Sequence, residues 1–368
     1  MNIVVTGAEG FIGRNLCTHL SQSDDFDVAE MGREHTLLEL QEAISQADIV
    51  FHLAGINRPK DEQEFRTGNI DFTQQLCQLM HETGRSIPII FSSSTQVERD
   101  NPYGKSKLAA ENVIARYAEE NEAAAHIFRL TNVFGKWCRP NYNSVVATFC
   151  HNIAHDLPIT VSNREHELTF ICVDDVVDSF LAISKDHDSG VFFHNAGPTY
   201  QTTLGELADL IKAFRTSRTS LIAPDFSNPF VYKLYATYLT YLEEDAFGYD
   251  LVQRCDPRGC LAEFVKAPAL GQIFVSRTVS GITRGNHYHH LKTEKFLVLE
   301  GDAIIRFRHL QSDKVLEYPV KGSDFRVVDI PPGYTHSIEN VGVGELVTLF
   351  WASEIFDPSR PDTIYLNV

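Results

Sequence analysis

Two stretches of this 368-residue chain carry side chains whose types and spacing suit chemistry. The first is 91–107, FSSSTQVERDNPYGKSK, where a serine cluster precedes Tyr103 and Lys107 follows four residues after it. The run SKLAAENVIARYAEE predicts a helix from near Gly104, and an (i, i+4) pair shares one helical face, so Lys107 lies beside the Tyr103 phenol. Free tyrosine titrates near ~10, and a neighbouring cation favours phenolate, so the pair could trade a proton with a carbonyl or alcohol oxygen near neutrality. Ser94, ending the apolar run from Ile87, would hydrogen-bond the same oxygen. Taken alone, this spacing more often marks a tyrosine and a lysine on an ordinary helix surface; the rest of the chain shifts the balance.

The second stretch is 281–294, GITRGNHYHHLKTE, which leads into an apolar run to Gly301. Alternation along a strand sends His287 and His289 out of the same face. Glu294 follows, and PPGYTH brings His336 in after a tight turn. Three neutral imidazoles and one carboxylate suit a divalent transition metal such as zinc, with room left for water or substrate. The same four side chains could instead line a metal-free sugar pocket. His290 points to the other face.

These groups need elements to position them. Residues 2–6 read as a buried strand running into Gly7-Ala8-Glu9-Gly10-Phe11-Ile12-Gly13 and then a helix through Leu16 and Leu20. Glycines let the backbone turn sharply and approach a pyrophosphate, whose charge rests on the N–H groups opening the helix. A second strand, 27–31, ends in Gly32-Arg33 rather than the acid that would hold the ribose hydroxyls of NAD, and an arginine pairs with a 2′-phosphate. NADP(H) is therefore favoured over NAD, although Glu30 stands close by. A helix over 37–45, an apolar strand over 48–55, DIVFHLAG, that ends in small residues, and a helix from 69 to 83 continue the alternation. That is the mark of a parallel sheet covered by helices on both faces, with ligands over the carboxyl ends of its strands. His52, inside an apolar strand, reads as a packed core histidine. After a helix over 201–214 comes an aromatic passage, 226–249, whose tyrosines recur at near-helical spacing and suggest core or dimer contact. From 256 onward short strands and Gly/Pro turns predict a small β-barrel, so we expect two domains, 1–247 and 248–368.

Composition excludes several classes of partner. The 49 acids outnumber the 32 bases, and a net charge of −17 argues against nucleic acid or an anionic membrane. Seven scattered cysteines suggest no disulfide framework and a reducing cytosol. The N-terminus MNIVVTG lacks the basic region of a signal peptide, and no apolar run approaches the ~20 residues of a membrane span.

With these elements placed, TGAEGFIG, DIVFHLAG, FSSS, YGKSK and RLTNVFG resemble the extended short-chain dehydrogenase/reductases that act on nucleotide sugars. The resemblance implies an α/β, Rossmann-type doubly wound parallel sheet and a Ser94–Tyr103–Lys107 triad, Lys107 also holding the nicotinamide ribose. Gly7, Gly10, Phe11, Ile12, Gly13, Arg33, Leu53 and Ala54 become candidates for binding NADPH. Asn132, Asn143, Ser144 and Arg164 become candidates for the sugar-nucleotide pocket, although loop or cap polarity explains each nearly as well. Asp174 and Asp175 of VDDVV are expected to cap a helix. Sugar 4,6-dehydratases of the family place an Asp-Glu pair after the active-site hydroxyl; here Thr95-Gln96 stands there, which points to net reduction.

The histidine-rich stretch resembles the first motif of the all-β cupin barrels, and 331–340 the second, with a longer gap from Gly322 to Pro331 than is usual. Asp256-Pro-Arg258-Gly259 and Glu263 resemble the metal-free sugar 3,5-epimerases. Over its whole length, down to FDPSRPDTIYLNV, the chain resembles the bifunctional capsular-polysaccharide enzymes of UDP-N-acetyl-L-fucosamine synthesis. That family implies C3 epimerisation of a UDP-linked 2-acetamido-2,6-dideoxy-4-hexulose in the cupin and NADPH reduction of its C4 ketone, giving the L-talose, in a homodimer. A cupin histidine or Lys292 would be the epimerisation base. Two other readings stand beside it: a reductase with a purely dimerising cupin, and a non-catalytic NADP(H) sensor.

Overall fold

The computed structural model describes residues 1–185 and 188–368. The chain opens with alternating β1 (Asn2–Thr6), α1 (Phe11–Leu20), β2 (Asp27–Met31), α2 (Leu37–Gln46), β3 (Ile49–His52), the single turn α3 (Gln63–Phe65), α4 (Phe72–Glu82), β4 (Ile89–Ser94), α5 (Pro102–Asn121) and β5 (Ala124–Leu130). It continues through β6 (Asn132–Phe134), α6 (Val145–Ala154), β7 (Glu167–Cys172), α7 (Val173–Ile183), β8 (Gly190–His194), β9 (Thr199–Thr203), α8 (Leu204–Ser220) and α9 (Pro229–Leu239). β2-β1-β3-β4-β5-β8 form one sheet, parallel throughout, and β6-β7-β9 a smaller one.

The near-continuous apolar strands follow from burial on both faces. Val4, Val50, Ile89 and Phe91 pack into one helical layer with Leu76, Met80 and Ile114. Their neighbours Ile3, Val5, Phe51 and Ile90 pack into the other with Leu16, Val177 and Phe180. Each such side chain contributes about 1.5–3 kcal/mol relative to exposure. Local signals set the helix starts: Thr36 and Glu39 close a capping box on α2, while Asn101 caps α5 through Gly104 N–H with Pro102 behind it. The helix expected from 69 begins instead with a wider π-type turn, Arg66–Asp71.

The remaining strands are β10 (Gln253–Asp256), β11 (Gly259–Ala267), β12 (Gly271–Thr278), β13 (Thr283–Tyr288), β14 (Glu294–Glu300), β15 (Asp302–His309), β16 (Val315–Lys321), β17 (Val327–Ile330), β18 (Tyr334–Asn340), β19 (Leu346–Ala352) and β20 (Ile364–Tyr365). They build two sheets, β10-β11-β12-β19-β14-β17 and β16-β15-β18-β13-β20. Phe296, Val298, Ile305, Phe307, Ile338 and Phe350 fill the core of this part. The long gap before Pro331 holds a one-turn helix, Gly322–Asp324, and β17, which pairs with β14.

The chain divides into two compact units, Met1–Lys212 with Pro229–Leu242, and Ala213–Asn228 with Glu243–Val368. The change-over near 248 is thus an exchange of segments, because the second half of α8 belongs with the β-rich unit and α9 with the first. The cysteine expectation is corrected: Cys255 and Cys260 form a disulfide across the β10–β11 hairpin. They face each other in the antiparallel register, with Cα atoms 4.1 Å apart, which a spacing of five residues does not announce. No helix among the described residues is long and apolar enough to cross a membrane.

Candidate functional sites

In the first unit the loop between β1 and α1 is a close-packed glycine turn. Gly7 sits at φ +71°, and a Cβ there would lie 2.7 Å from the Ala54 backbone; one on Gly13 would lie 2.2 Å from the Gly7 carbonyl. Only glycine permits this packing of loop, helix and strand end. No side chain caps α1, whose first N–H groups therefore stay available to an anion. Gly7, Gly10, Phe11, Ile12, Gly13, Arg33 and Leu53 line a cleft of about 1360 Å³, while Ala54 packs behind Gly7. The close glycine packing and the open helix start fit a dinucleotide.

Ser94, Tyr103 and Lys107 line the same cleft. Ser94 ends β4 and accepts a hydrogen bond from Gln96 N–H at 3.2 Å. Burial raises the phenol's pKa, with the nearby Ser94 hydroxyl opposing, so Tyr103 is a protonated donor rather than a Lys107-stabilised phenolate. Lys107 is 5% exposed, and its ammonium donates to the Ser92 carbonyl at 2.8 Å. Burial brings its pKa down to about 8, against the pull of Glu111 one turn along. Glu111 is held by Ser93 Oγ and by Arg129 through two bonds at 3.1 and 2.7 Å. His52 is a core residue, as expected, set between the Thr6 and Thr73 hydroxyls at 2.8 Å each.

Of the sugar-pocket candidates, Asn132, Asn143 and Ser144 line the cleft. Asn132 also donates to Thr169 O at 2.9 Å, and Ser144 caps α6. Arg164 lies outside the lining and pairs with Asp209 at 2.5 Å. Sequence reasoning missed Arg14, Arg99, Arg139, Tyr142, His166 and Tyr241, all in the lining. Arg14, directly after the third glycine, was the one with a local signal; Tyr241 arrives on the chain after α9 and donates to Cys138 O at 2.6 Å. Asp174 and Asp175 do not cap α7, whose N-cap is Cys172 with no side-chain bond. They occupy its first turn and pair with Lys136 and His19, and with Lys233.

In the second unit β13 and β18 bring His287 opposite His336 in register, and Glu294 opens β14 of the other sheet. A bulge between Gly285 and His287, with Asn286 at φ +59°, re-aims the end of β13. Ligand atoms of His287, His289, Glu294 and His336 lie within 4.8 Å of one another. His289 and His336 are 1% and 0% exposed, and each Nε2 stands 3.4 Å from Glu294 Oε2 without a hydrogen bond. Burial lowers His287 to about 4, leaving a neutral imidazole; burial opposes the Glu294 charge, yet the two imidazoles hold its carboxyl far below the ordinary range. Buried, unpartnered nitrogens converging on a carboxylate fit a divalent metal. His290 is exposed and takes no part.

The NAD dependent epimerase/dehydratase family model matches residues 3–195, and the polysaccharide biosynthesis C-terminal domain matches 254–364. A Pseudomonas aeruginosa protein, UDP-2-acetamido-2,6-beta-L-arabino-hexul-4-ose reductase, is 44% identical over 100% of this chain and 99% of its own. The crystal structure of the capsular polysaccharide assembling protein CapF from Staphylococcus aureus has a TM-score of 0.93 at 45% identity, covering 100% of both chains. The UDP-glucuronic acid 4-epimerase of Bacillus cereus, solved with NAD, shares the fold at 21% identity and TM-score 0.55, over 66% of this chain and 98% of its own.

Proposed function

Because the chain belongs to the NAD dependent epimerase/dehydratase family, and within it to the CapF-type bifunctional nucleotide-sugar enzymes, we propose that its two units act in turn on one UDP-linked 2-acetamido-2,6-dideoxy-4-ketosugar. The protein is a C3 epimerase and C4 reductase. One observation carries this reading: an intact serine–tyrosine–lysine set lines a cleft headed by a dinucleotide cradle, in the same chain as a His₃Glu cluster. Chemistry sets the order, since the C4 ketone acidifies the C3 proton and reduction removes the ketone.

NADPH bound against Gly7, Gly10, Phe11, Ile12, Gly13, Arg33, Leu53 and Ala54 would supply the hydride for C4. The Tyr103 phenol delivers the balancing proton to the C4 oxygen, which Ser94 holds in place. Lys107, on the same helix face, carries the positive charge that offsets the phenolate left behind and holds the ribose. Arg33, with Arg14 beside the cradle, supports a 2′-phosphate, and Asn132, Asn143 and Ser144 face the sugar nucleotide. His287, His289, Glu294 and His336 would hold zinc, which supplies a Lewis-acidic centre in the barrel. At C3 a base removes the proton and protonation from the opposite face inverts the centre, giving the ketone whose reduction yields the L-talose sugar. We place this work in a cytoplasmic homodimer.

The test is exchange at C3. In D2O, with the 4-hexulose and no NADPH, deuterium should enter C3, and NADPH absorbance should then fall when it is added. His287→Ala should lose the exchange yet still reduce the epimerised ketone. NADPH oxidation by wild type without any C3 exchange would remove the epimerase half.

A further inference from the structure

The closing residues reach the His₃Glu cluster from outside both histidine motifs. The Asp362 carbonyl accepts from His289 Nδ1 at 2.5 Å. That bond places the proton on Nδ1, so Nε2, which has no hydrogen bond, presents its lone pair to the cluster. The Asp362 carboxylate accepts three successive backbone N–H groups, from His290, Leu291 and Lys292, at 2.9, 2.7 and 2.8 Å. Those amides belong to the loop joining His289 to Glu294. Around this anchor, Lys292 Nζ donates to Thr363 Oγ1 at 2.7 Å, and β20 pairs with β13 so that Tyr365 stands opposite His287. Thr335, next to His336, donates its hydroxyl to Leu366 O.

We propose that Asp362 is a positioning residue for the metal centre: it does not touch the ion, but sets the tautomer of His289 and the shape of the 290–292 loop. The inference rests on the metal reading above. Both of its links are of the kind that orients a metal ligand, one to the far ring nitrogen and one to the backbone that carries the next ligand. A tail serving only to seal the barrel edge would need the β20 pairing, but neither the bond to the His289 ring nor a carboxylate closed over three consecutive amides.

The experiment uses the full chain, stripped with chelator and titrated with Zn²⁺ and with Co²⁺ alone. Wild type, Asp362→Ala and Asp362→Asn are compared for metal affinity, Co²⁺ ligand-field spectrum and NADPH binding. Asp362→Ala keeps the backbone carbonyl that His289 uses but removes the carboxylate that fixes the 290–292 loop and holds that carbonyl in place; loss of such outer support weakens metal affinity by about 10–100-fold, which is the loss expected. Its Co²⁺ bands should shift, NADPH binding should stay at the wild-type value, and Asp362→Asn, which keeps one acceptor oxygen, should fall between. Should the alanine variant fail to fold, the asparagine variant decides by the same two metal readouts. Wild-type affinity together with an unshifted spectrum would overturn the proposal. Failure of wild type to take up either ion would instead overturn the metal reading itself.

Discussion

Replacing Tyr103 with phenylalanine isolates the proton donor. The ring occupies the same space and no hydrogen bond to the phenol is lost in the free enzyme, so the cost to stability should stay below about 1 kcal/mol. Ser94 keeps its bond from Gln96 N–H, and Lys107 keeps Ser92 O, so neither partner loses its place. What disappears is an acid that burial keeps protonated at neutral pH, at the atom where reduction needs a proton. A positioned general acid contributes about 10²–10⁴ in rate. The turnover number for NADPH oxidation should fall by that factor, about 3–5.5 kcal/mol in the barrier, with the KM for NADPH unchanged. C3 exchange in D2O without NADPH should proceed at the wild-type rate, because the residues assigned to it lie in the other unit. Stopped-flow absorbance and NMR read the two activities separately. A loss smaller than tenfold would show that Tyr103 is not the donor, and a parallel loss of C3 exchange would place it in both steps.

Three further outcomes follow from the first unit. Arg33→Ala removes a charged partner for the 2′-phosphate; such bonds contribute about 1.5–3 kcal/mol, so the KM for NADPH should rise about 10–100-fold while that for NADH stays put. Gly13→Ala drives a Cβ to 2.2 Å from the Gly7 carbonyl, and overpacking of this kind costs about 1–3 kcal/mol. Thermal unfolding and an NADPH fluorescence titration should both register it, and wild-type values in both would show that the loop yields. Lys107→Met tests the cost of a buried ammonium. With a folded pKa of about 8 against ~10.4 unfolded, the unfolded chain binds more protons between those values, so this lysine's contribution to stability is lowest below about 8 and improves as pH rises through the window. The methionine variant should therefore unfold at a higher temperature than wild type at neutral pH, with the gap closing toward pH ~10; a gap independent of pH would contradict the assignment.

What was legible in the sequence was whatever a single element encodes. The glycine spacing after β1, Tyr103 and Lys107 one turn apart, and the alternation of His287 and His289 each report neighbours on one loop, helix or strand, where local geometry sets proximity. The apolar strands of the parallel sheet and the turn-rich barrel were likewise visible, because burial on one face or two leaves its period in the residues. Tertiary structure alone decided the rest. Arg164 found Asp209 from α8, Cys255 met Cys260 across a hairpin, and the segments around α8 and α9 exchanged between units. The spacing of Tyr103 and Lys107 suggested a phenolate; burial settled the matter the other way, since desolvation depends on everything packed around the ring. Asp362 shows the same limit from the functional side. It lies 73 residues from His289 and in neither motif, and only the return of the chain to pair with β13 brings it to the ligand ring.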